Sequence, residues 1–204
     1  MLVSWRRPSD AAIRRFISAQ SAEPFSYADV GATRGAPPDG YLVHHHRVRL
    51  GSGRDAFERA VEALRGWRMF AIEGVELCWP NTPQQPGATV AILAGGGPIW
   101  FLNACRIVYA IDDAGPPVRR GFAYGTLPAH AVRGEERFTV EWSPASDEVS
   151  YDLLAFSRPG SRWIGAAEPL LRMVQRRFAR GSLAAMRRAV AEERSLRVNA
   201  SAGT

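Results

Sequence analysis

Hydrophobic residues recur at helical spacing near the start of the chain. Apolar side chains between Ile13 and Ile17 fall on one face, and Ser9 stands where an N-cap is favoured, so a short helix is predicted here. Residues 21–40 are rich in Pro, Gly and Ala, which indicates an ordered but irregular connection. We therefore expect residues 1–40 to form an N-terminal segment that packs on the body of the protein.

The body begins with one strand pattern and one helix pattern. Residues 41–50 have the composition and spacing of a strand, which ends at a glycine-rich turn. Ser52 and Asp55 stand three residues apart, as in a capping box, so we expect a helix to begin there and to end at Gly66.

After Gly66 the apolar period changes to two, which predicts strands. The predicted strands cover residues 75–79, 89–94, 100–111, 118–126, 136–142 and 148–156. Short clusters of Gly, Pro, Asn and Asp separate most of these strands. Consecutive strands are therefore expected to pair as antiparallel hairpins.

The last pattern is that of a long amphipathic helix. Pro169 suits a first helical turn, and an apolar stripe at helical spacing follows it. The pattern predicts a helix from Pro169 to about Glu193, roughly 37 Å long at ~1.5 Å per residue. Gly181 and Ser182 interrupt the stripe, which indicates a bend or a close packing point.

Only this last helix is long enough to cover the apolar face of a twisted sheet of that size. The predicted class is α+β, with a curved antiparallel sheet of about six to seven strands wrapped on the C-terminal helix. This helix-grip arrangement, expected over residues 41–194, tends to leave a cavity between sheet and helix. Residues 195–204 are expected to form a frayed tail.

The positive charge of the chain lies in its C-terminal segment. The net charge is +6, and all 26 basic residues are Arg, a composition that we take to reflect a bacterial genome. Residues 158–204 hold ten Arg against three acidic residues. Arg172, Arg176, Arg180 and Arg187 either form a solvated helix face or attract an anionic partner such as nucleic acid or a membrane surface.

Several classes of protein are excluded by composition. Hydrophobic residues make up 46% of the chain and charged residues 23%, which fits a globular protein. The apolar run of residues 99–111 is too short and too polar to span a membrane, and we expect no secretory signal. Cys78 and Cys105 form no Cys-x-x-Cys pair, so reduced thiols in a cytoplasmic protein are expected.

Six separated motifs resemble those of the domain-of-unknown-function family numbered nineteen-ninety. They are Tyr27–Thr33, Asn103–Tyr109, Tyr124–His130, Arg133–Glu136, Ala155–Pro159 and Gln175–Arg180. The resemblance covers roughly residues 25–192, and such proteins are similar to the START-like superfamily. It implies a helix-grip fold and, by analogy of fold alone, a cavity for a hydrophobic or amphipathic ligand. It implies no activity.

Residues 124–136 are the best candidate for a site, because loops between strands often carry function. Tyr124, Thr126, His130 and Glu136 are the side chains that we expect to contact a ligand. His130 can exchange a proton near neutral pH, so His130 and Glu136 form a candidate acid/base pair. In the alternative reading, Thr126, His130 and Glu135 only satisfy the backbone of the loop.

Two arginines lie within or beside strand patterns. Arg106 and Arg158 can each bind a ligand carboxylate or phosphate through the guanidinium group. We expect instead that each pairs with an acidic residue of the sheet, namely Asp152, Glu141 or Glu136.

Three consecutive histidines suggest a metal site only at first sight. On a strand, His44 and His46 lie on one face and His45 on the other, and the chain holds no second histidine cluster. We therefore expect partly exposed strand histidines and no metal. Residues 95–98 lack the Lys and the helix of a phosphate-binding loop, so no cofactor is expected.

The function predicted first is the binding of a hydrophobic or amphipathic small molecule between the sheet and the C-terminal helix. One alternative is an enzyme on the same fold that uses His130 and Glu136. The other is a module that binds an anionic partner through the Arg-rich helix.

Overall fold

The computed structural model describes residues 1–95, 98–161 and 168–202. Within these residues, eight strands form one curved antiparallel sheet. The strands are β1 Leu2–Ser4, β2 Leu42–Ser52, β3 Val75–Cys78, β4 Thr89–Gly95, β5 Trp100–Asp113, β6 Val118–Thr126, β7 Val132–Ser143 and β8 Glu148–Pro159. The helices are α1 Asp10–Ser21, α2 Arg54–Arg65 and α3 Glu168–Ala202, with 3-10 turns at Ala32–Arg34 and Arg68–Phe70.

The strands lie in the order β2-β8-β7-β6-β5-β4-β3, and the short β1 pairs with β5. From β3 to β8, consecutive strands are neighbours, so the predicted hairpins are confirmed. Helices α2 and α3 cover one face of the sheet, which we call the inner face, and α1 lies on the outer face. The predicted α+β helix-grip class is therefore confirmed.

Aromatic side chains fill the centre of the inner face. The Phe70 ring, from the turn after α2, lies 5.9 Å from the Phe138 ring and 5.5 Å from the Phe178 ring on α3, measured between centroids. Tyr124 packs on the same cluster, 5.1 Å from Phe138. Phe138 is fully buried, and its truncation to Ala would cost about 3–5 kcal/mol. The middle of the sheet is therefore a solid core.

A smaller core lies on the outer face, where α1 packs on β4 and β5. Ile13 is buried there against Leu93 and Leu102. The predicted cap is confirmed, because the Ser9 hydroxyl accepts a hydrogen bond from the Ala12 N–H at 3.3 Å.

The start of α2 differs from the prediction. Ser52 pairs with Glu148 at the end of β2, and Gly53 is the N-cap, with no side-chain cap. The reason is that β2 continues through an irregularity between Arg49 and Gly51, so Ser52 belongs to the strand. The predicted capping box is wrong. The φ of Gly53 is 85°, a conformation that glycine adopts without strain.

Helix α3 begins within one residue of the predicted start and continues past Glu193 to Ala202. At Gly181 a Cβ atom would lie 2.9 Å from the Ile72 side chain, and the buried Ser182 hydroxyl bonds the Tyr151 hydroxyl at 2.9 Å. The break in the apolar stripe is therefore a point of close packing, as predicted.

Candidate functional site

One row of side chains crosses the inner face near the ends of β2, β7 and β8. His44 pairs with Ala155, Ala155 with Glu136, and Glu136 with Tyr124. Directly opposed residues of antiparallel strands point to the same face, so these four side chains lie side by side. Neighbouring strands are ~4.8 Å apart, so His44 and Glu136 face each other across Ala155 at about 10 Å between backbones.

Small residues form a floor between these two side chains. Ser157 pairs with Gly134 one row further along the sheet. A Cβ atom at Gly134 would lie 1.9 Å from the Phe156 carbonyl oxygen, so this position excludes any side chain. His44, Ala155 and Glu136 remain partly exposed although they face α3. Solvent therefore reaches this end of the inner face.

We call this end of the inner face the inner recess. Its floor and walls are Gly134, Ala155, Ser157, His44, His46, Glu136 and Gln175. The aromatic cluster around Phe70 occupies the centre of the space predicted under the helix, and a cavity at the end near Glu136 stays a prediction.

Three buried polar atoms at the recess make no hydrogen bond of standard geometry in the described part of the chain, although His44 and Gln175 lie close enough to interact with each other. They are Nε2 of His44, Nε2 of His46 and Oε1 of Gln175. The two imidazole rings stack with centroids 6.2 Å apart, and the Gln175 Nε2 donates to the Ser157 hydroxyl at 2.8 Å. Buried polar atoms without partners are uncommon in native proteins and often mark the place of a water or a ligand.

Burial lowers the pKa of His44, and His46, Arg176 and Arg172 lower it further, while the amide of Gln175 acts in the opposite direction. The imidazole of His44 is therefore neutral at pH 7. A neutral imidazole carries one hydrogen-bond donor and one acceptor.

On the opposite side of the recess, the carboxyl group of Glu136 accepts one hydrogen bond. The Tyr124 hydroxyl donates to Oε2 of Glu136 at 2.6 Å. Burial raises the pKa of Glu136 to about 7, although the hydrogen bond from Tyr124 lowers it. Burial and the nearby Glu136 raise the pKa of Tyr124. Glu136 can thus accept or donate a hydrogen bond near neutral pH.

Thr126 and His130 lie in or next to the loop before β7. The Thr126 hydroxyl accepts from the Gly134 N–H at 2.9 Å, and Nδ1 of His130 accepts from the Val132 N–H at 3.1 Å. Burial lowers the pKa of His130 to about 4. Val132 precedes Glu136 by four strand residues, about 13 Å. The structure therefore does not bring His130 and Glu136 together as an acid/base pair.

The two candidate arginines lie outside the recess. Nη2 of Arg106 donates to three backbone carbonyls at the end of α1, those of Gln20, Ser21 and Glu23, at 2.8–3.1 Å. Arg158 is exposed, with its guanidinium 4.9 Å from the Tyr41 ring centre.

The predicted pairing of these arginines with sheet carboxylates is wrong, because other groups hold those carboxylates. Arg47 and Arg119 bond Glu141, Arg137 bonds Asp152, and Tyr124 bonds Glu136.

Among the sequence-predicted residues, the structure places Tyr124 and Glu136 at the recess. The sequence reasoning missed Ala155, Ser157 and Gln175. Their role depends on strand register and on the rotation of α3, and neither is visible in a local pattern.

The structure also bears on the metal and membrane predictions. In the described ranges, no group of three or more His, Cys, Asp or Glu side chains is arranged to hold a metal ion. No helix among the described residues is long and apolar enough to cross a membrane. The side chains of Arg172, Arg176, Arg180 and Arg187 are all exposed on α3.

The comparisons with known proteins place the chain among relatives of similar length. A family model described as "Domain of unknown function (DUF1990)" matches residues 26–185. A UPF0548 protein of Dictyostelium discoideum is 32% identical, over 95% of this chain and 98% of the relative. A UPF0548 protein of Deinococcus radiodurans is 39% identical, over 86% of this chain and 92% of the relative. Relatives occur in eukaryotes as well as bacteria, so the family does not indicate a bacterial origin.

Among solved structures, protein NE0264 of Nitrosomonas europaea is similar in fold. The TM-score is 0.50 at 14% sequence identity, over 76% of this chain and 97% of that chain. This likeness concerns the fold alone.

Proposed function

The chain belongs to the DUF1990 family, and we propose that it binds a small amphipathic molecule in the inner recess. The observation that carries the proposal is the set of three buried polar atoms without a hydrogen bond of standard geometry, on His44, His46 and Gln175, beside a floor of small residues. A polar group of a ligand would satisfy these atoms, which belong to partly exposed residues.

The chemistry of the walls favours a ligand with a neutral polar group. A hydroxyl or amide can donate to Oε1 of Gln175 and bond the neutral imidazole of His44. An anionic group is less suitable beside Glu136, which is itself ionised above about pH 7. Phe138 and Phe178 border the recess from the core and supply contacts for the apolar part of the ligand.

The experiment is native mass spectrometry of the purified protein, followed by extraction and identification of the bound species. We expect a bound molecule in the wild type and its loss in the double variant His44→Ala, His46→Ala. Each lost hydrogen bond weakens binding by about 1 kcal/mol, so affinity should fall about tenfold or more. The matched control is His45→Ala, on the same strand but on the outer face.

A second pair of variants tests the space itself. Ala155→Leu fills the floor of the recess, whereas Ala110→Leu adds the same volume at an exposed position of β5. Binding should be lost in the first and kept in the second, with circular dichroism confirming that both remain folded. A wild-type protein that binds nothing, or binding that persists in folded Ala155→Leu, would refute the proposal.

A further inference from the structure

The N-terminal half of α3 carries an exposed apolar surface. Leu170 is 57% exposed, Met173 60% and Val174 53%, all within five residues of one helix. Single exposed apolar residues need no explanation, but a cluster of large ones indicates a surface that contacts something apolar.

The same half of α3 is strongly basic. Residues 169–183 include four Arg and no acidic residue. The four arginines line an open hollow of about 530 Å³ together with Pro169 and Met173; they are Arg172, Arg176, Arg177 and Arg180. Aliphatic and guanidinium groups are therefore interleaved on one surface, and the hollow is large enough for a phosphate-sized group.

This surface points away from the sheet. Gln175 and Ser182 face inward, where they bond Ser157 and Tyr151. At ~100° per residue, Met173 and Arg177 lie on the opposite side of the helix from Gln175. The packing of α3 on the sheet thus leaves the apolar and basic groups outward together.

We propose that this surface, formed by Leu170, Met173, Val174, Arg176, Arg177 and Arg180, docks on an anionic lipid surface. The apolar side chains enter the boundary between headgroups and acyl chains, while the guanidinium groups bind lipid phosphates. An anionic lipid surface is complementary to both sets of groups, because its phosphates attract the arginines and its acyl chains accommodate the exposed Leu, Met and Val. A nucleic acid would need the charge but not the aliphatic groups. The proposal goes beyond ligand binding in the recess and does not rest on it.

The test is co-sedimentation of the full chain with two kinds of vesicle, phosphatidylcholine alone and phosphatidylcholine with about one-third phosphatidylserine. We expect binding to the anionic vesicles, weakened by salt. Two variants should each lower the partition coefficient about tenfold or more. One is Leu170→Ser with Met173→Ser, and the other is Arg176→Gln with Arg177→Gln and Arg180→Gln.

A control variant removes the same amount of charge elsewhere. It replaces three exposed arginines of α1, β2 and α2 by Gln, at Arg15, Arg49 and Arg65. Vesicle binding should change less than threefold in this control. An equal loss of vesicle binding in the control would show that net charge alone causes the effect, and this result would overturn the proposal.

Other occupants of the surface give different results. Binding of an RNA oligonucleotide that is insensitive to the Leu170→Ser, Met173→Ser change, without vesicle binding, would overturn the proposal in favour of nucleic acid. A dimer in sedimentation velocity that the same change dissociates would overturn it in favour of a second copy of the chain. Because the recess lies on the other side of α3, loss of vesicle binding with retained recess ligand separates the two proposals.

Discussion

Glu135 and Glu136 are neighbours on β7, and their environments are opposite. Glu135 points to the outer face, where it is 2% exposed and fixed by several donors. Glu136 points to the inner recess, where it is partly exposed and accepts a hydrogen bond from Tyr124. Two carboxyl groups one residue apart therefore serve different purposes, because strand alternation sends them to different faces.

The carboxylate of Glu135 fixes the irregular N-terminal segment to the sheet. It accepts from the Tyr27 hydroxyl at 2.6 Å, from the Gly31 N–H at 2.6 Å, and from both the N–H and the hydroxyl of Thr33. The Thr33 hydroxyl also bonds the Tyr109 hydroxyl at 2.7 Å. Each of these groups lies in a motif of the family resemblance, so on this face the motifs describe a folding constraint.

The inner face shows the reverse arrangement. Glu136 has a raised pKa, and His44, His46 and Gln175 each keep a polar atom without a hydrogen bond of standard geometry. The donors around Glu135 occupy its carboxylate oxygens, whereas the polar groups of the recess retain the capacity to bind a ligand. The number of fixed donors around each polar group thus distinguishes the structural carboxylate of Glu135 from the proposed binding site at Glu136.

The largest expected difference comes from the same substitution at the two positions. Glu135→Gln places an NH₂ group against N–H and O–H donors that are fixed by Tyr27, Gly31 and Thr33, so we expect a loss of about 3 kcal/mol or more in the free energy of unfolding. Glu136→Gln removes a desolvated charge and should leave stability unchanged or higher at pH 8. Urea unfolding at pH 8 measures the free energy of unfolding of both variants. An equal loss of stability at the two positions would contradict the difference proposed between the two carboxyl groups.

The sequence patterns predicted the strand alternation and helix α3, but they did not predict the inner recess. The alternation of β2 correctly placed His44 and His46 together and His45 apart, and the apolar stripe predicted α3. These are local patterns that depend on one element. The recess depends on Ala155 opposing both His44 and Glu136, which is set by strand register.

The placement of the arginines could not be predicted for the same reason. Arg106 closes the end of α1, an element more than eighty residues earlier in the chain. A strand pattern shows only that its side chain lies among apolar residues, and it does not show which outer segment covers it.

The next effect is a pH dependence that arises from Glu136. Its pKa is raised from an ordinary value near 4.5 to about 7, so between these pH values the folded state binds more protons than the unfolded state. The contribution of Glu136 to stability is therefore greatest below about pH 4.5, and it falls as the pH rises through 7. We expect a decrease of about 3 kcal/mol across this range in the wild type relative to Glu136→Gln.

Thermal or urea unfolding at several pH values measures this difference. The low pKa of His130 acts in the opposite sense, since its stabilising effect is lost as the pH falls from 6.5 through 4. It is common to both proteins and cancels when they are compared. A wild type and variant with parallel pH profiles would show that Glu136 titrates normally.

A smaller effect distinguishes the two tyrosine hydroxyls that bond these carboxyl groups. Tyr27→Phe removes one of several donors to the buried Glu135 and should cost about 1–1.5 kcal/mol at any pH between 6 and 9. Tyr124→Phe removes the hydrogen bond that lowers the pKa of Glu136, so that pKa should rise above 7. Carboxyl titration by NMR in ¹³C-labelled protein measures the shift. A normal pKa of Glu136 in Tyr124→Phe would contradict the assignment of burial as its cause.

The smallest effect concerns the histidines, and it tests the two faces on one strand. His45 bonds Oδ2 of Asp152 at 2.6 Å on the outer face, but its own side chain is 57% exposed, so His45→Ala should lower stability by about 0.5 kcal/mol or less at pH 7. His44→Ala removes a buried nitrogen that makes no hydrogen bond of standard geometry, so the change should be nearly neutral in the ligand-free protein. For ligand binding we expect the reverse order, with a larger loss of affinity in His44→Ala than in His45→Ala. Unfolding of both variants with and without the extracted ligand measures this reversal, and a ligand that protects His44→Ala as well as His45→Ala would place its binding site outside the recess.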